Sequence, residues 1–225
     1  MAATGQLTVA AILVAAGDGQ RLGASVPKAF CLVAGRTLLE HAAERFAAHP
    51  GVRDLVIVAP VALLESATSL VPAGVVLAGG RTRQDSVDRG LAALGEDVDA
   101  VLIHDVARPF VPAAVIDRVL AALAGGAEAV VPAVAVTDTV KRVDASEAVT
   151  ETLDRAALRA VQTPQGFLRS VLVRAHLASD GSGVTDDAAL VEALGVRVVV
   201  VAGADESFKI TRPWDLVLAE VVASR

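Results

Sequence analysis

Short apolar runs alternate along the chain with segments whose apolar residues recur at helical spacing. The runs predict six β-strands, one beginning at Val9 and the others at 54–59, 75–78, 98–104, 129–136 and 196–201. The segments between them predict helices at 37–48, 61–70, 83–94, from Pro112 onward, at 168–178, at 185–194 and from Pro213 to about 223. This alternation indicates an α/β fold with a doubly wound, mainly parallel sheet.

The segment 137–160 departs from this pattern. Thr, Asp, Lys, Arg and Glu separate short β-like pieces there, so we interpret it as a protruding β-arm outside the main sheet. No repeat, low-complexity tract or linker interrupts the rest of the chain. Residues 1–225 are therefore expected to form a single domain that carries this arm.

Composition narrows the class of protein. Hydrophobic residues make up 54% of the 225 positions, which is ample for a buried core, and the net charge of −6 argues against a nucleic-acid or membrane-surface binder. The single cysteine, Cys31, excludes an intrachain disulfide and fits a reducing compartment. We see no secretory signal and no uninterrupted apolar span of membrane length, so a cytoplasmic protein is expected.

The first strand ends in a loop of small residues and cations. Gly17, Gly19 and Gly23 allow backbone N–H groups to lie against a ligand, and Arg21 and Lys28 add two positive charges, a combination that suits a polyphosphate. The glycine spacing is one residue too long for the dinucleotide-binding fingerprint, and no P-loop motif is present. A loop that only connects a strand to a helix is the alternative interpretation.

Further polar residues follow other predicted strands. Gly80 and Arg81 with nearby Ser86 follow the third strand, Asp105 and Arg108 follow the fourth, and Lys209 follows the last. Because a doubly wound sheet binds ligands at the carboxyl ends of its strands, these residues are expected to meet in one cleft.

Several polar residues near the predicted strand ends also have an interpretation that involves no ligand. Asp105 is either a helix cap or a magnesium ligand beside phosphates, and Lys209 either binds phosphate or extends from the sheet edge into solvent. Arg81 and Arg83 are interpreted as solvated side chains and His104 as a buried residue. The pair Asp186–Asp187 is interpreted as the start of a helix capped by Thr185.

A cation-rich site with one carboxylate suits nucleotidyl transfer. In that reaction a substrate phosphate attacks the α-phosphorus of a nucleoside triphosphate and pyrophosphate leaves. The nucleophile is already an anion, so the protein must align two repelling anions and neutralise the growing charge.

Six motifs in order carry a resemblance to a known family. The chain resembles the 2-C-methyl-D-erythritol 4-phosphate cytidylyltransferases, which are nucleotidyltransferases with a Rossmann-like fold. The residues that carry it are Ala15–Arg21 with Pro27 and Lys28, His104–Pro109, Thr139–Arg142, Thr163–Gln165, Thr185–Asp187 and Lys209–Pro213. The resemblance implies transfer of CMP from CTP to methylerythritol phosphate with Mg²⁺, in isoprenoid precursor synthesis.

The resemblance also implies a role for individual residues. Arg21, Lys28 and Lys209 would act on the triphosphate, and Arg155 would hold the methylerythritol phosphate; these four are the predicted catalytic residues. Asp105 would serve Mg²⁺ or substrate hydroxyls. The remaining predicted substrate-binding residues are Ala15, Ala16, Gly17, Gly19, Gly80, Arg81 through its backbone, Ser86, Ala107, Arg108, Thr139, Thr163 and Thr185.

In this family the arm crosses to a second subunit, so the resemblance implies a homodimer in which Thr139 and its neighbours complete the partner's site. The chain departs from the family where Ser207 replaces a common Asn and where Arg81 replaces an acidic residue. A sister family that makes CDP-ribitol shares most of the motifs, so a ribitol 5-phosphate or other sugar-phosphate nucleotidyltransferase is the alternative enzyme. A nucleotide-binding module without catalysis is the alternative outside the enzyme class.

Overall fold

A computed structural model describes residues 7–17, 26–179 and 186–224 of the chain. The strands are β1 (Val9–Val14), β2 (Leu32–Val33), β3 (Arg36–Thr37), β4 (Asp54–Ala59), β5 (Val75–Ala78), β6 (Ala100–Asp105), β7 (Ala129–Ala135), β8 (Lys141–Val143), β9 (Val149–Thr152), β10 (Arg159–Val161), β11 (Gln165–Leu168) and β12 (Val198–Ala202). The helices are α1 (Leu38–Ala47), α2 (Leu64–Leu70), α3 (Arg83–Ala92), α4 (Ala113–Ala124), α5 (Arg169–Ala178), α6 (Asp187–Ala193) and α7 (Pro213–Ala223).

Eight strands form the main sheet, which confirms the predicted α/β fold with a mainly parallel sheet. β6, β1, β4 and β5 are parallel neighbours in that order, and β12 pairs with β7 in parallel. β10 and β11 run antiparallel to β7, and β11 also pairs with β6, so β11 joins the two halves of the sheet. The parallel arrangement brings the ends of β1, β5 and β6 to one edge.

Helices cover both faces of this sheet because alternate strand residues point to opposite sides. On β1, Leu13 belongs to an apolar cluster that includes residues of α1 and α4. Its neighbour Ile12 belongs to a second cluster with residues of α3, α5 and α6. Among the described residues no helix is long and apolar enough to cross a membrane.

The structure differs from the sequence prediction around the arm. β8 and β9 form an exposed hairpin separate from the main sheet, as expected for an arm. Residues 159–160, however, belong to β10 and pair with β7, so assigning all of 137–160 to the arm was wrong at its end. The antiparallel strand β11 was also missed, because Gln162, Thr163 and Pro164 interrupt the apolar pattern just before it.

Polar side chains cap the first turns of α3 and α6. Thr82 caps α3: its side chain accepts a hydrogen bond from the Asp85 N–H, and the Asp85 carboxylate accepts one from the Thr82 N–H. Asp186 caps α6 by accepting from the Ala189 N–H, so the prediction that Thr185 is the cap was wrong.

Candidate active site

A cleft of about 600 Å³ opens where β1, β5 and β6 end. The predicted site residues that line it are Ala15, Ala16, Gly17, Lys28, Gly80, Arg81, Ser86, Asp105, Ala107 and Lys209. These residues come from five separate parts of the sequence. They lie together because the carboxyl ends of parallel strands meet at one edge of the sheet, where ligands bind in such folds.

One wall of the cleft depends on close backbone packing between the ends of β1 and β5. A Cβ atom on Gly79 would lie 2.3 Å from the Cβ of Ala16, and one on Gly80 would lie 2.1 Å from the Cβ of Asp85. Glycine is thus required at both positions by the protein itself. In contrast, a Cβ on Gly17 would meet no atom of the described residues within 4 Å.

Ser86 fixes the turn that follows β5. Its hydroxyl donates to the Thr82 carbonyl at 2.9 Å and accepts from the Gly80 N–H at 3.1 Å. The single hydroxyl proton is therefore committed, and only a lone pair of Ser86 Oγ is left for a ligand. Arg81 is exposed, as predicted for a residue that acts through its backbone.

Two lysines reach the opposite wall from distant parts of the chain. Lys28, in a 3-10 turn over Lys28–Phe30, places its Nζ 2.8 Å from the Ile210 carbonyl. Lys209 places its Nζ 2.7 Å from Asp105 Oδ2. The Ile210 N–H donates to the Ala107 carbonyl, which ties this segment to the turn after β6. The lysines and Asp105 therefore form one cluster.

Arg83 is the residue that the sequence interpretation placed wrongly. It lines the cleft and is not simply solvated. Its Nε lies 3.4 Å from Asp105 Oδ1 and its Nη1 lies 2.6 Å from Asp187 Oδ2. Burial alone would raise the pKa of Asp105, but the charges of Arg83 and Lys209 outweigh it and hold that pKa well below its usual range.

The other predicted residues that the structure describes, Arg108, Thr139, Arg155 and Thr163, do not line this cleft. Arg108 donates from Nη1 to the Ser207 carbonyl and from Nη2 to the Val161 carbonyl, and its Nε has no partner among the described residues. Thr139 and Arg155 are exposed in the arm, where Arg155 donates to the Thr137 carbonyl. Gly19, Arg21 and Thr185 lie outside the described residues.

The side chains of Thr163 and His104 hydrogen-bond to each other and to the backbone at and just after the end of β6. The Arg108 carbonyl can only accept, so the hydrogen of neutral His104 is on Nε2 and its Nδ1 accepts from the Thr163 hydroxyl at 2.9 Å. Thr163 Oγ1 in turn accepts from the Asp105 N–H at 3.2 Å. In this arrangement Thr163 has no proton to give to a phosphate, and its side chain fixes the Asp105 backbone.

His104 makes the stability of the fold depend on pH. It is fully buried, and burial lowers its pKa to about 4. An unfolded chain binds this proton near pH 6.5, so its contribution is complete above 6.5 and is lost as the pH falls towards 4. We expect the free energy of unfolding to fall by on the order of 3 kcal/mol over that window.

Urea unfolding at a series of pH values measures this loss of stability. A His104→Asn variant should lack that slope, and a flat wild-type profile from 6.5 to 4.5 would contradict the assignment.

Comparisons with known proteins identify the family. The family model for 2-C-methyl-D-erythritol 4-phosphate cytidylyltransferase matches residues 9–225. A protein of that name from Frankia casuarinae is 50% identical over 218 residues, 96% of this chain and 82% of that protein. The chain belongs to the 2-C-methyl-D-erythritol 4-phosphate cytidylyltransferase family.

Solved structures of cytidylyltransferases share the whole fold. The 2-C-methyl-D-erythritol 4-phosphate cytidylyltransferase from Thermus thermophilus is 41% identical with a TM-score of 0.81, over 95% of this chain and 98% of that one. The 4-diphosphocytidyl-2C-methyl-D-erythritol synthase from Anaerococcus prevotii is 29% identical with a TM-score of 0.85, over 98% and 100%. These likenesses confirm the Rossmann-like α/β fold that the motifs implied.

Ser207, the position where the resemblance implied a departure from Asn, is fully buried and does not line the cleft. Its hydroxyl has no hydrogen-bond partner among the described residues.

Sequence reasoning also missed Asp187 and His176, which lie behind Arg83. Asp187 was interpreted only as part of a helix start, and it is that as well. Its partner Arg83 is 104 positions away, a separation that no local pattern reveals. The one available signal was that Asp187 is the last residue of the Thr185–Asp187 motif.

Proposed function

We propose that the chain transfers the cytidylyl group of CTP to 2-C-methyl-D-erythritol 4-phosphate and releases pyrophosphate. The product, CDP-methylerythritol, belongs to non-mevalonate isoprenoid precursor biosynthesis. Family membership supports the reaction, and one observation in the structure carries it: Lys28, Lys209 and Asp105 meet in a cleft beside the glycine turn at the end of β5.

The cations account for the chemistry. A phosphate oxygen of the acceptor forms a bond to the α-phosphorus, and the bond from that phosphorus to the bridging oxygen of the β-phosphate breaks. Pyrophosphate takes the electron pair of that bond. Lys28 and Lys209 are placed to neutralise the charge that grows on the non-bridging oxygens, and Arg21 would join them. The described part of the cleft needs no general base, because the nucleophile is an anion.

The glycine turn is suited to a cytosine base. Gly80 exposes backbone in the cleft, and Ser86 Oγ has a lone pair but no spare proton. It can therefore accept from the exocyclic amine of cytosine, whereas uracil offers an acceptor at that position. Ala15 and Ala16 leave room for the ring.

Mg²⁺ is proposed as the cofactor. The described residues contain no group of three His, Cys, Asp or Glu side chains that could hold a metal alone. Mg²⁺ commonly uses one or two carboxylates together with substrate phosphates and water, so a single carboxylate in the cleft is sufficient for it. Asp105 is the carboxylate in the described part of the cleft, and it would hold the ion together with phosphate oxygens of the substrate. When bound, the ion would neutralise phosphate charge.

We propose that the chain forms a homodimer through the arm and that the acceptor phosphate binds where the arm of one subunit meets the site of the other. The cleft residues of one chain include none from the arm, while Arg155 and Thr139 are exposed there. We propose that these two residues reach the site of the partner subunit, where the Nε of Arg108 has no partner among the described residues. No nucleic-acid or membrane partner is proposed, and a cytoplasmic location is in keeping with the free thiol of Cys31.

Turnover of CTP with two acceptors tests this function. Pyrophosphate release should be rapid with methylerythritol phosphate and slow with ribitol 5-phosphate at equal concentration. A preference for ribitol 5-phosphate would transfer the assignment to the sister family. Binding of CTP without turnover on either acceptor would favour a nucleotide-binding module.

A further inference from the structure

A row of alternating charges leads from the cleft into the helices on one face of the sheet. It begins at the cleft and ends at the surface of α3, and we call it the charge row: Lys209, Asp105, Arg83, Asp187, His176 and Asp88. Only its first three members line the cleft. The other three join α3, α5 and α6 behind it.

Arg83 is the link between the two parts. Its guanidinium bridges two carboxylates, with Nη1 2.6 Å from Asp187 Oδ2 and Nε 3.4 Å from Asp105 Oδ1. A planar guanidinium can face two carboxylates at fixed angles, which a lysine ammonium cannot do. The position of Arg83 therefore sets one side of Asp105, and Lys209 sets the other.

His176 contacts the carboxylate oxygen of Asp187 that does not face Arg83. Its Nε2 lies 3.0 Å from Asp187 Oδ1 and its Nδ1 lies 2.7 Å from Asp88 Oδ1. Ionised carboxylates only accept hydrogen bonds, so both ring nitrogens donate and the ring is an imidazolium. The side chain of Asp187 is 1% exposed, so this second cation helps to offset the cost of its burial.

The surroundings of His176 favour the charged ring. Asp88 faces it from α3 and Asp187 from α6, with Arg83 beyond Asp187, while β11, which also packs on α5, has no charged residue. Burial alone would lower the pKa of His176, but the two carboxylates outweigh it and raise that pKa above its usual value.

We propose that Arg83 is a positioning residue for cytidylyl transfer, which orients Asp105 and through it Lys209, and that Asp187 and His176 hold Arg83 in place. This inference rests on the proposed function, because Asp105 and Lys209 act there on the substrates. An ion-pair network that only joined three helices would end at Asp187. Here it continues to a carboxylate that contacts a predicted catalytic lysine.

Arg83→Lys tests the bridge because it keeps the charge and removes the planar fork. We expect kcat to fall about tenfold to a hundredfold, since small misplacements of reacting groups carry such costs. KM for CTP should change by less than about threefold, because the charges in the cleft remain. Arg53→Lys is the matched control. Arg53 also bridges two aspartates, Asp54 and Asp97, but at the amino end of β4. Its kcat should stay within about twofold of wild type.

The pH dependence of kcat tests the members of the charge row that do not line the cleft, Asp187, His176 and Asp88. Wild-type kcat should decline on the alkaline side as His176 loses its proton. His176→Gln should lower kcat and remove that decline, and Asp88→Asn should move it to lower pH because one stabilising charge is gone. A network with only a structural role would change the melting temperature in these variants and leave the pH profile of kcat as in wild type.

These outcomes separate the inference from the function itself. Wild-type turnover decides the function, whereas normal kcat in Arg83→Lys, or an unchanged pH profile in His176→Gln, overturns the positioning role. If Arg83→Lys does not fold, the His176 and Asp88 variants decide. NMR titration of the His176 ring needs no turnover: a ring that titrates at or below pH 6.5 in the free protein overturns the inference.

Discussion

Replacing Lys28 by Ala should lower kcat by about a hundredfold to a thousandfold while the protein stays folded. The ammonium lines the cleft and is anchored at the Ile210 carbonyl, next to Lys209. A fixed cation in a partly enclosed site needs no reorganisation when charge grows on the phosphoryl oxygens. Removing one such group costs about 2.7–4 kcal/mol of barrier. Single-turnover measurement of pyrophosphate release gives this quantity directly.

The controls for Lys28 separate charge from packing. Lys28→Met fills most of the same volume without the charge and should be as slow as Lys28→Ala, whereas Lys28→Arg should recover part of the rate. Arg36→Ala removes a cation from an exposed pair with Glu44 and should leave kcat unchanged. Arg21→Ala is expected to behave like Lys28→Ala. Near-normal turnover in folded Lys28→Ala would refute the role assigned to the cation.

The parts of the fold that the sequence predicted well are those with strong local patterns. The strands at 54–59 and 75–78 match β4 and β5, and Pro213 begins α7 as its fixed φ favours. The strand β11 was missed because its stability comes from pairing with both β6 and β7 and not from its own composition. A strand of four residues after a proline has too little local signal to be recognised.

The candidate site shows the same division. Lys28, Asp105 and Lys209 were predicted to meet because topology alone brings strand ends together. Arg83 was assigned to solvent, because its partner Asp187 becomes its neighbour only when α6 packs beside α5 and α3. Long-range ion pairs have no periodicity, so a single sequence gives no means of detecting them. The residues that the sequence missed are accordingly Arg83, which lines the cleft, and its more distant neighbours Asp187 and His176.

Mixing two impaired variants should restore activity if the arm serves the partner subunit. In a heterodimer of Lys28→Ala and Arg155→Ala chains, one site combines both defects. The other site combines an intact Lys28 with an intact Arg155 from the partner's arm. A two-fold dimer exchanges equivalent arms, so the purified heterodimer should show about half the wild-type rate per dimer. Each homodimer alone should remain slow, and the Arg155→Ala homodimer should be slow chiefly through weaker binding of methylerythritol phosphate.

The design distinguishes the two possible locations of Arg155 action. If the arm acts in its own subunit, every site of the heterodimer contains one defect and mixing recovers nothing. Two affinity tags allow the heterodimer to be isolated, and a heterodimer of Lys28→Ala with Arg36→Ala is the matched control. In that control one site is intact in either arrangement, so about half the wild-type rate is expected whichever subunit the arm serves. Recovery in the control without recovery in the test pair would therefore place Arg155 in its own subunit's site.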